Sequence, residues 1–537
     1  GDFDRIAWDG RRAYIVFDAN VQSNPSVEAA RRELAKELAK RGADVRLVDL
    51  PEGLPGVNGV DDLLSTAGPE KVLALFDAAK ELDPFFRLTE LGNAERFAHQ
   101  HGGAVRFSHA WGKWLVWDGW RWKREDTAEV ERLAVDTVRS IYAQAATVTD
   151  EEKRKALGKW AAKSESDQAV RAMLSRARSL EGVPVRPDDL DTNPWLLNCE
   201  NGTVDLRTGK LRPHRRADLL TKLCPVAFDP HAHAPTFAAF LDRIMGGSVA
   251  LIEFLQRAIG YALTGDTSEQ VVFLLWGSGA NGKSTLVSTV LEMLGEYGLS
   301  TPSDTFEAKR NGGGIPNDLA RLNGARMTAA VETEDGRRLA ESRIKQMTGS
   351  DRLSARFLHA EWFEFQPTFK VFLATNHKPD IRGTDHAIWR RIRLVPFTVT
   401  IPDEEQDHHL SDRLRAEFPG VLAWAVRGCL AWQKDGLGMP DEVRAATDAY
   451  RSEADRVRRF IDEGCIRGEQ CQAKARQLYQ EYRAWMTAGG EDALTETGFA
   501  RQLAELGIAK ERRTAGNVYL GIGLRADREE ADRGGSM

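Results

Sequence analysis

Apolar residues along this chain follow two rhythms. Short runs bounded by polar or glycine-rich stretches read as strands, and longer stretches with one apolar face read as helices. The first strand is Tyr14-Ile-Val-Phe17. A helix over about 26–41 follows, closed by Gly42, and Val45 to Val48 gives a second strand. This β-α-β order predicts a small parallel sheet. Residues 111–124 alternate like strands around an Asp118-Gly119 turn. Helical spacing covers about 127–180, and two strands joined at Thr208-Gly209 follow. A helix over 249–263 leads into Val271-Val-Phe-Leu-Leu-Trp276, an unbroken apolar run that ends in glycines and passes into a helical pattern. Two further apolar strands are Arg326–Val331 and Val371–Thr375. Between them Trp362, Glu364 and Gln366 alternate with Phe363 and Phe365, as in one strand of a hairpin. Residues 440–465 read as a charged helix whose charges form a solvated face. Beyond it, Ala475, Leu478, Tyr479, Tyr482 and Trp485 mark one apolar helix face. A second helix over 495–506 and a hairpin over 511–520, turning at Ala515-Gly516-Asn517, complete a helix-helix-wing order.

The loop after the apolar run carries the clearest chemistry. Gly277, Ser278, Gly279, Ala280, Asn281, Gly282, Lys283, Ser284 and Thr285 match G-x-x-x-x-G-K-[ST] and its continuation. Glycines let backbone N–H groups turn inward, and those amides with the helix N-terminus cradle phosphate oxygens. Lys283 places a point charge on the β- and γ-phosphates, and the Ser284 hydroxyl can ligate Mg²⁺. The loop therefore predicts binding of ATP with Mg²⁺. The strand Arg326–Val331 runs into Glu332 and Glu334, where carboxylates beside such a loop hold the metal shell and polarise water. Glu332 is assigned to the metal and Glu334 as its partner. Asn376, at the end of another buried strand, is placed to sense the γ-phosphate. Three arginines, Arg390, Arg391 and Arg393, cluster at a strand start, where one can act as an arginine finger on a neighbour's nucleotide.

At 537 residues the chain needs several cores, and its net charge of −6 leaves nucleic-acid binding to local patches. The five cysteines show no metal-ligand spacing, which fits a reducing compartment. No apolar run is long enough to span a membrane. The chain opens on Gly1 rather than Met, as a trimmed piece does. Tryptophans 111, 114, 117, 120 and 122 interleave with Lys113, Arg121, Lys123 and Arg124. A small sheet with Trp on its buried face is the plainer reading, and base stacking the sharper one.

GSGANGKST, AAVETE, KQMTGSD with SARFLHAEWFEFQPTFK, and VFLATNHKP followed by WRRIRLVPF occur in this order. Together they resemble the superfamily 3 helicase domain of the phage, plasmid and poxvirus primase-helicases. The stretch Asn198–Lys210, with its flanks Pro194-Trp195 and Phe228-Asp-Pro230, resembles that family's helicase-associated domain. The N-terminus resembles a Toprim-like domain, with Asp18-x-Asn20 where a D-x-D pair is usual and with Asp61 and Asp62 as further candidate metal ligands. The resemblance implies an α/β multidomain chain: an AAA+-like P-loop motor, a Toprim-like α/β piece, a helical and β helicase-associated domain, and a C-terminal winged helix. The expected division is 1–82, 83–234, 235–436, a helical linker 437–465, a winged-helix-like 466–524 and a disordered tail 525–537. It implies ATP hydrolysis in a homo-oligomeric ring, usually a hexamer, that translocates on single-stranded or forked DNA. It assigns Arg391 as the finger with Arg390 second, and Arg356, His359, Lys345 and Lys370 as basic DNA-contact candidates on or near the hairpin. Other replication proteins, a primase included, are implied partners, and the cytoplasm of a bacterial host is the expected location. Two other readings stay open: a bifunctional primase-helicase, and a DNA-binding initiator or defence protein that uses ATP as a switch without unwinding. A small-molecule kinase would not need the hairpin and arginines in this order.

Overall fold

The computed structural model describes residues 11–21, 24–51, 56–81, 86–308, 317–331, 338–349, 351–357, 361–381, 386–491, 493–513 and 516–525, with Ile6 and Trp8. The chain divides into two units, residues 1–100 with 134–177, and 101–133 with 178–537. The domain expected over 83–234 is thus shared between them.

In the first unit, strand Arg12–Val16 pairs in parallel with Asp44–Val48, which pairs antiparallel with Lys80–Glu81. Helix Pro25–Lys40 makes the crossover; Asn24 caps it by accepting the Ser26 N–H. Ala13, Ile15 and Val45 meet Ala35 and Leu38 of that helix in a small core. Asp18 and Asp61 are exposed. Asp62 instead accepts the backbone N–H groups of Gly59 and Asn58, both at 2.9 Å, and these bonds lower its pKa. Among the described residues no three His, Cys, Asp or Glu side chains gather to hold a metal ion. Asp18, Asp61 and Asp62 therefore form no such group, although the Ala19 N–H donates to Asn58 O at 2.8 Å and sets their segments side by side. In the same unit the helices of 134–177 are fastened by Asn93, which donates to Ser164 Oγ and accepts from Trp160 Nε1, each at 2.9 Å.

The second unit is built on a five-stranded parallel sheet. Its strands are β1 (Val272–Trp276), β2 (Gly298–Ser300), β3 (Met327–Val331), β4 (Lys370–Thr375) and β5 (Ile392–Pro396), in the order β2-β3-β4-β1-β5. Strands covered on both faces read as continuous apolar runs, which is why β1 and β4 show no alternation. Phe273 and Leu275 enter one core with Phe372 and Ala374. Val272 and Leu274 enter the other with Val371 and Leu373. Phe273 stacks on its register partner Phe372 with centroids 4.6 Å apart. Helices Val249–Ala262 and Phe418–Asp435 cover the first core and cross at glycines. A Cβ on Gly260 would lie 2.1 Å from Cys429 N, and one on Gly428 2.0 Å from Gln256 O. Either alanine would force the helices apart.

Two three-stranded antiparallel sheets precede the five-stranded sheet: Val105–Ser108, Lys113–Trp117 and Trp122–Arg124, then Leu196–Cys199, Gly202–Asp205 and Lys210–Arg212. Trp114 and Trp122 are buried, so the tryptophan cluster chiefly packs its own sheet; Trp120 is its exposed member. Arg326, at the foot of β3, ties the second small sheet to the five-stranded one. It is buried, donates to the carbonyls of Pro194, Asn193 and Leu196, and lies over the Tyr297 ring.

The segment expected as a linker is not a free spacer. Helix Asp441–Ala454 packs on the five-stranded sheet: Thr447 Oγ1 accepts the Leu394 N–H, and Tyr450 stacks edge-on against Trp389. Helix Arg456–Gly464 instead gives Val457, Phe460 and Ile461 to the C-terminal core. That core joins helices Ala475–Ala488 and Glu496–Glu505 to a sheet ordered Cys465–Lys474, Gly516–Leu524, Lys510–Arg513. No helix among the described residues is long and apolar enough to cross a membrane.

Candidate functional site

β1 ends at Trp276 and helix α1 (Lys283–Leu294) begins seven positions later at Lys283, with the glycine loop between. The loop needs its glycines at specific points. Gly279 and Gly282 take φ of +106° and +78°. A Cβ on Gly277 would sit 2.3 Å from Phe397 O, and one on Gly282 2.5 Å from Ile244 Cγ2. The loop is thereby wedged between the exit of β5 and helix Pro235–Ile244. Ala280 carries a positive φ of +45° without being glycine, and its carbonyl is held by the Ile401 N–H at 2.7 Å.

Lys283 turns back into this loop. Its ammonium donates to Gly277 O at 2.9 Å, Asn281 Oδ1 at 2.7 Å and Asn376 Oδ1 at 3.1 Å. The side chain is buried, which lowers its pKa by penalising the charged form. An anion in the loop would reverse that penalty. The amides at the start of α1 point the same way, because the first turn of a helix leaves its N–H groups unpaired and carries positive partial charge. Ser284 is exposed beside them. The donor set of ammonium, backbone amides and hydroxyl fits the phosphates of a nucleotide and one ligand of a divalent metal.

Asn376 is the first residue past β4. It meets Lys283 across 93 positions because β1 and β4 pair from Val272↔Val371 to Trp276↔Thr375. Thr375 braces the turn: its hydroxyl donates to His377 O and accepts the His377 N–H. β3 ends beside β4, with Val331 opposite Ala374. Glu332 and Glu334 lie outside the described residues.

The arginines divide sharply. Arg391 is buried at 8% exposure, bonded to Thr348 Oγ1 at 3.1 Å and Ala387 O at 2.6 Å. Arg393 is half-buried and donates to Arg390 O and Ile392 O. Arg390 is exposed and donates to Gln270 Oε1 at 3.2 Å. Arg391, the residue first expected as the finger, is thus held inside its own subunit, and Arg390, the second candidate, is the exposed one. All three sit at the foot of β5, paired with the foot of β1 at Val272↔Ile392, whereas the glycine loop leaves the top of β1. Four residue steps of strand, roughly 13 Å, separate the two ends. Arg390 thus stands at the far end of the sheet from the loop of its own chain.

The hairpin forms as expected, Leu353–Ala355 against Phe363–Phe365. Arg356 lies over the ring of Trp362 at 4.9 Å, and both Trp362 and Phe357 are exposed. Lys345 is half-buried on helix Glu341–Met347. His359 falls outside the described residues. Lys370 is not a surface cation. It is buried under Tyr261, and its ammonium donates to the carbonyls of Thr264, Asp266 and Thr368. Its assignment as a DNA contact is withdrawn. Lys370→Met keeps the apolar stem but orphans three buried acceptors. We expect it to lower unfolding stability by about 3 kcal/mol, read by denaturant titration, and to leave single-stranded DNA affinity unchanged in the folded fraction. A stable variant with weakened DNA binding would restore the surface role.

Two further residues here, Gln270 and Lys378, the latter two positions past Asn376, are not among those the motifs single out. Lys378 lies 4.5 Å from the Trp276 ring and pairs with Glu453 at 2.7 Å. The position of Lys378 in VFLATNHKP was its one available signal; Gln270 had none.

Residues 94–246 match the family described as D5 N terminal like. Residues 275–391 match a family of unknown function, DUF5906, and residues 2–71 a domain of unknown function, DUF3854. The chain is similar to the putative helicase L207/L206 of Acanthamoeba polyphaga mimivirus, 28% identical over 55% of this chain and 33% of that protein. It is similar to the putative helicase 022R of Frog virus 3, 28% identical over 59% of this chain and 41% of that protein. It is also similar to the putative primase C962R of African swine fever virus, 26% identical over 56% of this chain and 34% of that protein. The chain thus spans a third to two-fifths of these relatives' lengths. Among solved structures, the apo NrS-1 C terminal region (305–718) superposes with TM-score 0.45 at 10% identity, over 81% of this chain and 99% of that one.

Proposed function

We propose that this member of the phage and viral primase-helicase kinship is an ATP-dependent superfamily 3 DNA helicase that translocates on single-stranded DNA. One observation carries the reading: Lys283 Nζ and Asn376 Oδ1 meet at 3.1 Å across the ends of β1 and β4. The contact sets a polar amide at the end of β4 beside the phosphate-binding lysine, where it can orient water or read the γ-phosphate. The strand order, with β4 between β1 and β3, supports an AAA+-like P-loop core.

In this reading residues 277–285 hold the phosphates of ATP, and Ser284 with Glu332 holds Mg²⁺, which would neutralise charge on the β- and γ-oxygens. Glu334 orients water, and Asn376 reads the γ-phosphate. Arg390 acts on a neighbouring subunit's nucleotide, which makes a homo-oligomeric ring, hexameric by resemblance, part of the proposal. Arg356, with exposed Phe357 and Trp362, offers the hairpin's cation and stacking surface to a DNA strand. The C-terminal helices and sheet are read as a winged helix, with exposed Arg512 and Arg513 available to phosphates. Primer synthesis by this chain is not part of the proposal.

Strand displacement on a forked duplex tests the function. We expect displacement with ATP and Mg²⁺, and none with a non-hydrolysable analogue. Nucleotide-dependent DNA binding without displacement would favour the switch reading instead.

A further inference from the structure

We propose that Gln270 is the positioning residue for Arg390, holding the guanidinium at the subunit face in the orientation from which it reaches a neighbour's nucleotide. The inference rests on the reading of Arg390 as the finger.

Gln270 lies just before β1, and its side chain is drawn to β5. Its Oε1 accepts from Arg390 Nη2 at 3.2 Å and from Arg391 Nη2 at 3.5 Å. One amide oxygen thus binds the exposed arginine to the buried one. Arg391 is itself fixed by Thr348 and Ala387, and its carbonyl accepts the Val272 N–H at 2.8 Å. The chain Thr348–Arg391–Gln270–Arg390 therefore runs from the core to the surface. It ends on the one arginine of the three that is exposed.

The backbone of Gln270 supports the same conclusion. Its φ is +52°, a left-handed conformation that costs a residue with a Cβ about 1 kcal/mol. The turn is closed by the Gln270 N–H donating to Thr267 O at 3.1 Å. Glycine would occupy this position without strain, so the turn alone does not call for glutamine. The side chain is what glycine cannot supply. A neutral acceptor also suits the task better than a carboxylate. It orients the guanidinium without neutralising the charge that Arg390 has to present to phosphate.

ATPase measurements on the full chain with single-stranded DNA test this, using Gln270→Gly, Gln270→Glu and Arg390→Ala. Gln270→Gly relieves the backbone and removes only the acceptor. We expect kcat to fall about tenfold, with KM for ATP and the sedimenting oligomer unchanged. Gln270→Glu restores an acceptor but pairs the finger with a charge, so kcat should also fall, and rise again with salt as the pair is screened. A Gln270→Gly protein that turns over at the wild-type rate while Arg390→Ala is inactive overturns the role of Gln270 and leaves the finger standing. Wild-type turnover by Arg390→Ala overturns both. A loss in Gln270→Gly that appears only as a smaller oligomer makes Gln270 a structural residue and likewise overturns the proposal.

Discussion

Lys283→Ala is expected to abolish ATP turnover, by about a thousandfold or more, in a protein that keeps its fold. The lysine is the convergence point of the site: its ammonium joins the first loop carbonyl, a loop amide and the amide at the end of β4. Its removal takes away the only buried cation among the described residues that touches the loop, and it leaves Asn376 without its link to the loop. The loss should fall on catalysis more than on folding, because the loop is wedged by steric contacts of Gly277 and Gly282 that do not involve the lysine. Lys283→Met, which keeps the apolar stem, should show the same loss, separating charge from packing. Phosphate release measures the first effect and thermal unfolding the second. Turnover at the wild-type rate by a folded Lys283→Ala protein would remove the site assignment and the proposed function with it.

The contrast between what the residues announced and what they hid is physical. β1 and β4 announce themselves because strands buried on both faces favour apolar residues, which leaves the near-continuous runs Val271–Trp276 and Val371–Ala374. The loop announces itself because only glycine survives at Gly277 and Gly282. The hairpin at 353–365 was visible in its alternation. Adjacent arginines are different. Arg390 and Arg391 share one local context, and only tertiary packing against Thr348 and Ala387 decides which turns inward. Lys370 misled for a related reason. A cation at the foot of a strand reads as solvated, yet here the strand starts inside a cage of carbonyls from a segment about 100 positions away. Gln270 was invisible because its role depends on a register, Val272↔Ile392, that no short window contains. The linker failed for another cause: Val457, Phe460 and Ile461 have helical spacing, but the charges between them dominated the reading.

Arg390→Ala is expected to bind nucleotide as the wild type does and to lose hydrolysis by about a thousandfold, the scale of a finger arginine. The geometry sets this apart from an ordinary surface substitution. Arg390 is at the foot of β5 and the glycine loop at the top of β1, on adjacent parallel strands in fixed register. No rotamer carries the guanidinium along the length of the sheet to its own loop, so a direct contact with the γ-phosphate has to be made on another copy. Arg391→Ala separates the two roles. It breaks buried bonds to Thr348 and Ala387, so its first consequence should be lost stability. Mixing supplies the decisive arm. A Lys283→Ala subunit has a dead loop and an intact arginine, whereas an Arg390→Ala subunit has an intact loop and no arginine. Where the two stand side by side in the right order, one complete site forms, and turnover should recover to a fraction of wild type set by the mixing ratio. Recovery would make the active unit an interface between copies of this chain. Two inactive proteins that stay inactive when mixed, while co-assembling by sedimentation, would mean that Arg390 serves its own subunit's structure and that the finger has to be sought elsewhere.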